Sequence, residues 1–411
     1  MASTTSVGHA QGEAVSELAL AAVLAITILI ASTISVEIGL SVALIELAAG
    51  VAVGNLFTVS VPDWLSFVGS FAGVVLTFLA GAEVDVPQFR REWRASLSIG
   101  AVSFVAPFVV AMSFAYWLVG WNRDQAEIGG LALSTTSLAV VYAVLVETGL
   151  NRSIIGKRIM SATFVTDILT VIGLSLLFIT PNVWIIPFVA VSVLMIWGFP
   201  RISPWFFARY GDRVIEPEIK LVFAALFVLM YLGDKADSQA VLPAFILGLA
   251  MSGHYAEHRT EQERLRVVAF AFLTPFFFLK GGLNVSLSAV WANLGILALL
   301  VVAKMLPKFG GVYPLARRYC SPNAAFTTLL MSTGLTFGTI TSLYGLQSGI
   351  IDQTQFSLLI TVVVLSAIVP TAIAQHFFEP RAHVERSPEL APDSPAGRRR
   401  PLPGRPQEGE T

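Results

Sequence analysis

SATFVTDILTVIG, residues 161–173, carries Asp167, the only ionisable side chain between Ile159 and Phe178, inside an apolar span that reads as 154–178. A run of about 17 to 25 apolar residues crosses a hydrocarbon core of about 30 Å as a helix. Lys157 marks one end of the span. At 1.5 Å per residue, Asp167 then lies about 15 Å further in, at the midplane. An ionisable group at that depth is costly unless paired or hydrated, so it marks a functional site by default. Thr163 and Thr170, at i−4 and i+3, share its helical face and Thr166 borders it. A carboxylate ringed by hydroxyl oxygens suits a desolvated alkali cation; the alternative is a structural aspartate hydrogen-bonded to neighbouring helices.

Similar runs fill the chain. Of 411 residues, 55% are hydrophobic and 13% charged, against about 25% charged in soluble domains, which excludes a water-soluble globule. Hydropathy places thirteen spans, at about 18–35, 39–56, 65–83, 96–118, 127–147, 154–178, 183–199, 217–234, 240–253, 267–285, 289–307, 323–344 and 355–377. The fold class is therefore all-α, a polytopic membrane protein in a lipid bilayer. Summed on alternate connections, 23 of the 26 basic residues fall on one side, Lys304 and Lys308 among them; the other side holds Arg123 and Lys235, and Lys280 stays within a span. The positive-inside rule then puts residues 1–17 outside and the C-terminus in the cytoplasm of a bacterial inner membrane. The first 17 residues carry no Lys or Arg, which argues against a cleaved signal peptide. Residues 379–411, with seven prolines and an Arg398–Arg400 run, read as a disordered cytoplasmic tail after a transmembrane domain at 18–378.

Some chemistries drop out. A lone Cys320 and five histidines without metal-ligand spacing leave no disulfide and no zinc site. No Gly-rich nucleotide loop is present, so no cofactor is expected, nor is a nucleic-acid partner. The chain reads as a transporter, not an enzyme.

Two further spans are polar at mid-depth. The fifth carries Thr135, Thr136 and Ser137; the twelfth carries Ser332, Thr333 and Gly334. They run in opposite directions across the bilayer, the pattern of an inverted-repeat transporter whose unwound helices meet at the ion site; ordinary helix packing uses the same small residues. Lys304 and Lys280 are the candidate cationic partners of Asp167, or else snorkel to the headgroups. Glu46 is the remaining deep acid, helping to bind the ion or accepting bonds from a neighbouring helix. Glu83 and Asp85 close the third span, where a solvated helix end is the simpler role. His254 and His258 lie near the cytoplasmic entrance.

Together these stretches resemble the monovalent cation:proton antiporter superfamily in its Kef-like and Nap-like branch. ALIELAAGVAVGN looks like the early span with its acid, Glu46; LTFLAGAEVDV is similar to the segment that bears Glu83 and Asp85; ALSTTSLAVVYAVLVETGL resembles the unwound span; and SATFVTDILTVIG resembles the ion-binding span, with Asp167 on the essential aspartate. Lys304, in VVAKMLPKFGG, sits where family members keep a basic residue. The resemblance implies an inverted-repeat antiporter fold with two crossing broken helices, a core built from spans at about 96–178 and 289–377 against a scaffold, a homodimer, and exchange of Na+ or K+ for protons with the cation on Asp167. Thr166 departs from the pattern, which has Asp, Asn or Gln there; its neutrality points to electroneutral exchange. A passive potassium efflux channel is the rival reading, but it wants a continuous polar pathway or filter loops.

Overall fold

Inside a bilayer, backbone amides and carbonyls find no water, so an apolar chain satisfies them within helices. The computed structural model describes residues 6–38, 41–57, 61–151, 153–178, 182–211, 213–378 and 380; the tail expected at 379–411 lies outside them except for Pro380, as do residues 1–5. The helices are α1 (Ser6–Ile38), α2 (Val42–Phe57), α3 (Asp63–Ala82), α4 (Val86–Arg91), α5 (Trp93–Phe114), α6 (Arg123–Ser134), α7 (Leu138–Glu147), α8 (Ile154–Leu177), α9 (Ile185–Tyr210), α10 (Pro217–Lys235), α11 (Val241–Glu257), α12 (Arg259–Val268), α13 (Thr274–Leu283), α14 (Leu287–Ala292), α15 (Leu294–Tyr319), α16 (Ala324–Met331), α17 (Thr336–Gln347) and α18 (Gln353–Phe377). A π turn, Ala269–Leu273, joins α12 to α13, and another, Ala115–Val119, ends α5.

Each of the thirteen hydropathic segments falls on a helix or a pair of helices in line. Among the described residues, nine helical stretches are long and apolar enough to cross a membrane. Several helices run beyond the spans read from sequence, α1 from Ser6 and α12 from Arg259 among them, and two of these extensions pass through prolines. α9 runs on to Tyr210 through Pro200 and Pro204, and α15 runs to Tyr319 through Pro307 and Pro314. Lys308, read as part of a connection, thus lies within α15, as does Lys304 of the eleventh span, and both are fully buried. Taking them out of the count leaves the asymmetry of basic residues intact.

Local signals fix the helix starts that matter for the site. Asn122 and Gln125 form a reciprocal capping box at the head of α6, and Asp352 and Gln355 form one at the head of α18. Ser153 accepts the Gly156 amide at 3.0 Å to begin α8.

The helices pack in two sets. α6, α8 and α15 each pack on α5, with α16 and α18 against α15, while α3 packs on α11 and α2 on α13. The latter two pairs share one geometry. A Cβ at Gly50 would overlap the Leu279 carbonyl oxygen and one at Gly282 that of Leu47; a Cβ at Gly81 would overlap the Phe245 oxygen and one at Gly248 that of Phe78. In every case the blocking carbonyl is three residues before the partner glycine. The two pairs, α2 with α13 and α3 with α11, thus share one reciprocal glycine-on-carbonyl contact.

Candidate functional site

Helix α6 ends at Ser134 and α7 starts at Leu138, with Thr135 and Ser137 in extended conformation between them. α16 ends at Met331 and α17 starts at Thr336. The breaks cross. The Ser137 amide donates to the Thr333 carbonyl at 3.2 Å, and the Thr136 hydroxyl donates to the Met331 carbonyl at 2.8 Å. Gly334 lies against Thr135, so a side chain there would meet the Thr135 Oγ1 at 3.1 Å. Ser366 of α18 closes the other flank, its hydroxyl 3.4 Å from the Gly334 carbonyl. The six residues singled out in the two polar spans are therefore one structure, an unwound crossing in which every one of them is buried.

A cation holds it together. Lys308 Nζ donates to the Thr135 carbonyl at 3.0 Å, to Thr136 Oγ1 at 3.0 Å and to the Met331 carbonyl at 2.7 Å. Thr135 and Met331 end α6 and α16, so one ammonium caps the negative ends of two helix dipoles and two carbonyls left bare by the breaks. The sequence reading missed this residue and assigned it to a connection. The readable signal was its spacing: Lys304 and Lys308 are i, i+4, on one face of the same helix. Lys304 Nζ behaves differently. It has no hydrogen-bond partner and points at Gly334, 2.5 Å from where a Cβ would sit. Lys280 lies away from the crossing; its ammonium donates to the Ser66 carbonyl at 2.9 Å and its stem fills the gap beside Gly69.

Asp167 is 1% exposed on α8, and its Oδ1 has no hydrogen-bond partner. The neighbouring hydroxyls are turned into their own helix: Thr163 donates to Ile159 at 3.0 Å, Thr166 to Thr163 at 2.6 Å and Thr170 to Thr166 at 2.8 Å. With their protons committed to backbone carbonyls, these oxygens offer lone pairs only. Thr163 also touches the Met331 sulfur at 3.6 Å, which ties α8 to the crossing.

The other acids are placed elsewhere. Glu46 is buried on α2 with Oε2 unpartnered. Glu83 is the C-cap of α3 and pairs with Arg266 at 3.3 Å. Asp85 caps α4 by accepting the Gln88 amide at 2.9 Å. His254 Nε2 meets Glu261 at 2.8 Å and its ring stacks on His258. Among the described residues, no three His, Cys, Asp or Glu side chains gather where they could hold a metal ion.

This arrangement has relatives. A family model described as sodium/hydrogen exchanger, transmembrane, matches residues 21–379. The "Probable Na(+)/H(+) antiporter 3" of Methanocaldococcus jannaschii is 23% identical over 350 residues, spanning 80% of this chain and 88% of that protein. The Na(+)/H(+)-K(+) antiporter GerN of Bacillus cereus is 24% identical over 365 residues, 85% of this chain and 93% of that one. The structure of the sodium proton antiporter MjNhaP1 from M. jannaschii at pH 8 superposes with a TM-score of 0.63 at 12% identity, covering 87% of this chain and 97% of that one.

Proposed function

Since the chain belongs to the sodium/hydrogen exchanger family, we propose that it is a secondary antiporter in which a monovalent cation, Na+ or K+, and a proton take turns on Asp167. The observation that carries this reading is a buried carboxylate, Asp167, on a helix that packs against the crossing of two unwound helices. A dry carboxylate disfavours its free anion; a proton or a metal ion neutralises it, and each excludes the other. Hydroxyls that offer only lone pairs, on the same helix and at the crossing, complete an oxygen-lined site with a single acid, which suits a monovalent ion. When the site opens to each face in turn, exclusive occupancy is exchange.

One carboxylate exchanging one charge for another makes the cycle electroneutral. The neutral Thr166 beside Asp167 supports this, as does Lys308, whose ammonium is engaged by backbone and hydroxyl oxygens. The protein acts as a homodimer in the bacterial inner membrane, with the N-terminus outside and the basic side in the cytoplasm.

The test is cation-dependent proton release from reconstituted vesicles. Asp167→Asn is expected to reduce exchange to the level of empty vesicles. Full exchange by that variant would overturn the site. Thr166→Asp, by adding a second charge, is expected to make exchange respond to a potassium diffusion potential, to which the wild type is insensitive.

A further inference from the structure

The polar helix α12 grips one end of α3. Gln262 Nε2 donates to the Ala82 carbonyl at 3.4 Å, and one turn on, Arg266 Nε lies 3.3 Å from Glu83 Oε1. Both partners of the ion pair lie at the surface of the chain, their side chains 42% and 28% exposed. Glu83 is also tied to the site. It follows Gly81, which is pressed on the Phe245 carbonyl of α11. The Phe245 ring stacks on Phe164 with centroids 5.8 Å apart, and Phe89 meets Phe164 edge-on at 5.8 Å. Phe164 precedes Asp167 by almost one turn of α8, on the Lys157 side. From that face inward the order is thus Glu83, an aromatic layer, then Asp167.

A surface carboxylate ahead of a cation site draws the cation out of bulk water. Here the same carboxylate already holds a cation, the guanidinium of Arg266, and exposed pairs of this kind are weak enough for ions to displace. We propose that Arg266 is a tethered competitor for the transported cation: seated on Glu83, it raises the concentration needed to load the site from this face. The proposal rests on Asp167 being the exchange site. Glu261 and Arg264, on the same helix, face His254 and the Glu216 and Glu218 carboxylates respectively, while Arg266 meets the end of α3.

The experiment measures KM for Na+, and separately for K+, in right-side-out and inverted vesicles, and reads the ratio between the two faces. R266Q is expected to lower KM about threefold at the Glu83 face and to leave the other face alone. E83Q is expected to raise KM at that face, and R266Q placed on E83Q to change nothing further; R266K, which keeps the charge, behaves as the wild type. An unchanged face ratio in R266Q, an equal shift at both faces, or an R266Q effect that persists without Glu83 overturns the competitor. Should R266Q fail to fold, E83Q alone decides: a KM ratio equal to that of the wild type overturns the proposal. Loss of exchange in Asp167→Asn together with an unmoved ratio in R266Q rejects the competitor and spares the site, whereas retained exchange in Asp167→Asn rejects the site itself.

Discussion

The pairs α2–α13 and α3–α11 are held by backbone on backbone, with glycines letting carbonyls and Cα atoms touch; the crossing of α6–α7 with α16–α17 is held by an ammonium and hydroxyls on unwound carbonyls. In a bilayer the first kind of contact gains from close packing and admits one geometry. The second leaves bare carbonyls that some donor must satisfy, at a cost if it is withdrawn. The glycine-paired helices therefore suit a rigid frame, and the crossing suits the part that carries a charge through two states. The sharpest break of this contrast is Lys308→Met. Without the ammonium, the Thr135 carbonyl loses its donor at about 1–3 kcal/mol, while the Met331 carbonyl keeps the Thr136 hydroxyl at 2.8 Å. We expect the largest loss of stability here, measured as the midpoint of unfolding in sodium dodecyl sulfate. An unchanged midpoint would mean that packing alone holds the crossing.

Gly248→Ala attacks the frame. The new Cβ runs into the Phe78 carbonyl, a backbone atom that cannot swing away, and overpacking of this kind costs about 1–3 kcal/mol. Gly253→Ala, on the same helix with open space around its Cβ, is expected to leave the midpoint where it is or raise it slightly. The repeated geometry makes a second demand: Gly282→Ala, which meets the Leu47 carbonyl, should cost as much as Gly248→Ala. If the two differ widely, the shared contact does not set the cost.

Lys304→Met separates the two lysines of α15. Lys304 Nζ has no hydrogen-bond partner, so exchanging it for an apolar side chain of similar length strips no donor from the crossing. The midpoint should hold within about 0.5 kcal/mol or rise, in contrast to Lys308→Met. A loss as large as that of Lys308→Met would show that Lys304 also braces the crossing.

The contrast also explains what was legible in the sequence. Asp167, Thr135–Ser137 and Ser332–Gly334 could be read because charge and hydroxyls at mid-depth stand out against an apolar background, and the bias of Lys and Arg survived a misplaced boundary. Lys308 could not, since hydropathy ends a span where a lysine enters, and only the folded chain supplies the three oxygens that make its burial tolerable. α15 also runs on through Pro307 and Pro314. The glycine contacts were hidden for another reason: Gly50, Gly81, Gly248 and Gly282 lie on four different helices, and no single helix reveals which carbonyl its glycine will meet. The Glu83–Arg266 pair likewise joins residues 183 positions apart in sequence, α3 to α12.

The smallest expected effect lies within the crossing itself. Ser103 of α5 is buried with its hydroxyl 3.5 Å from Thr136 Oγ1 and 3.4 Å from the Met331 carbonyl. Both contacts sit at the long edge of hydrogen bonding. Both partners are already served at shorter range, Thr136 Oγ1 by Lys308 at 3.0 Å and the Met331 carbonyl by Lys308 at 2.7 Å and Thr136 at 2.8 Å. Ser103→Ala thus removes a redundant donor and leaves no carbonyl bare, so the midpoint should move by less than about 0.5 kcal/mol. In a Lys308→Met background Thr136 Oγ1 loses its nearer partner and the Met331 carbonyl keeps only Thr136 at short range, so the same substitution should cost more than it does alone. Equal costs in the two backgrounds would place Ser103 outside the network that Lys308 organises.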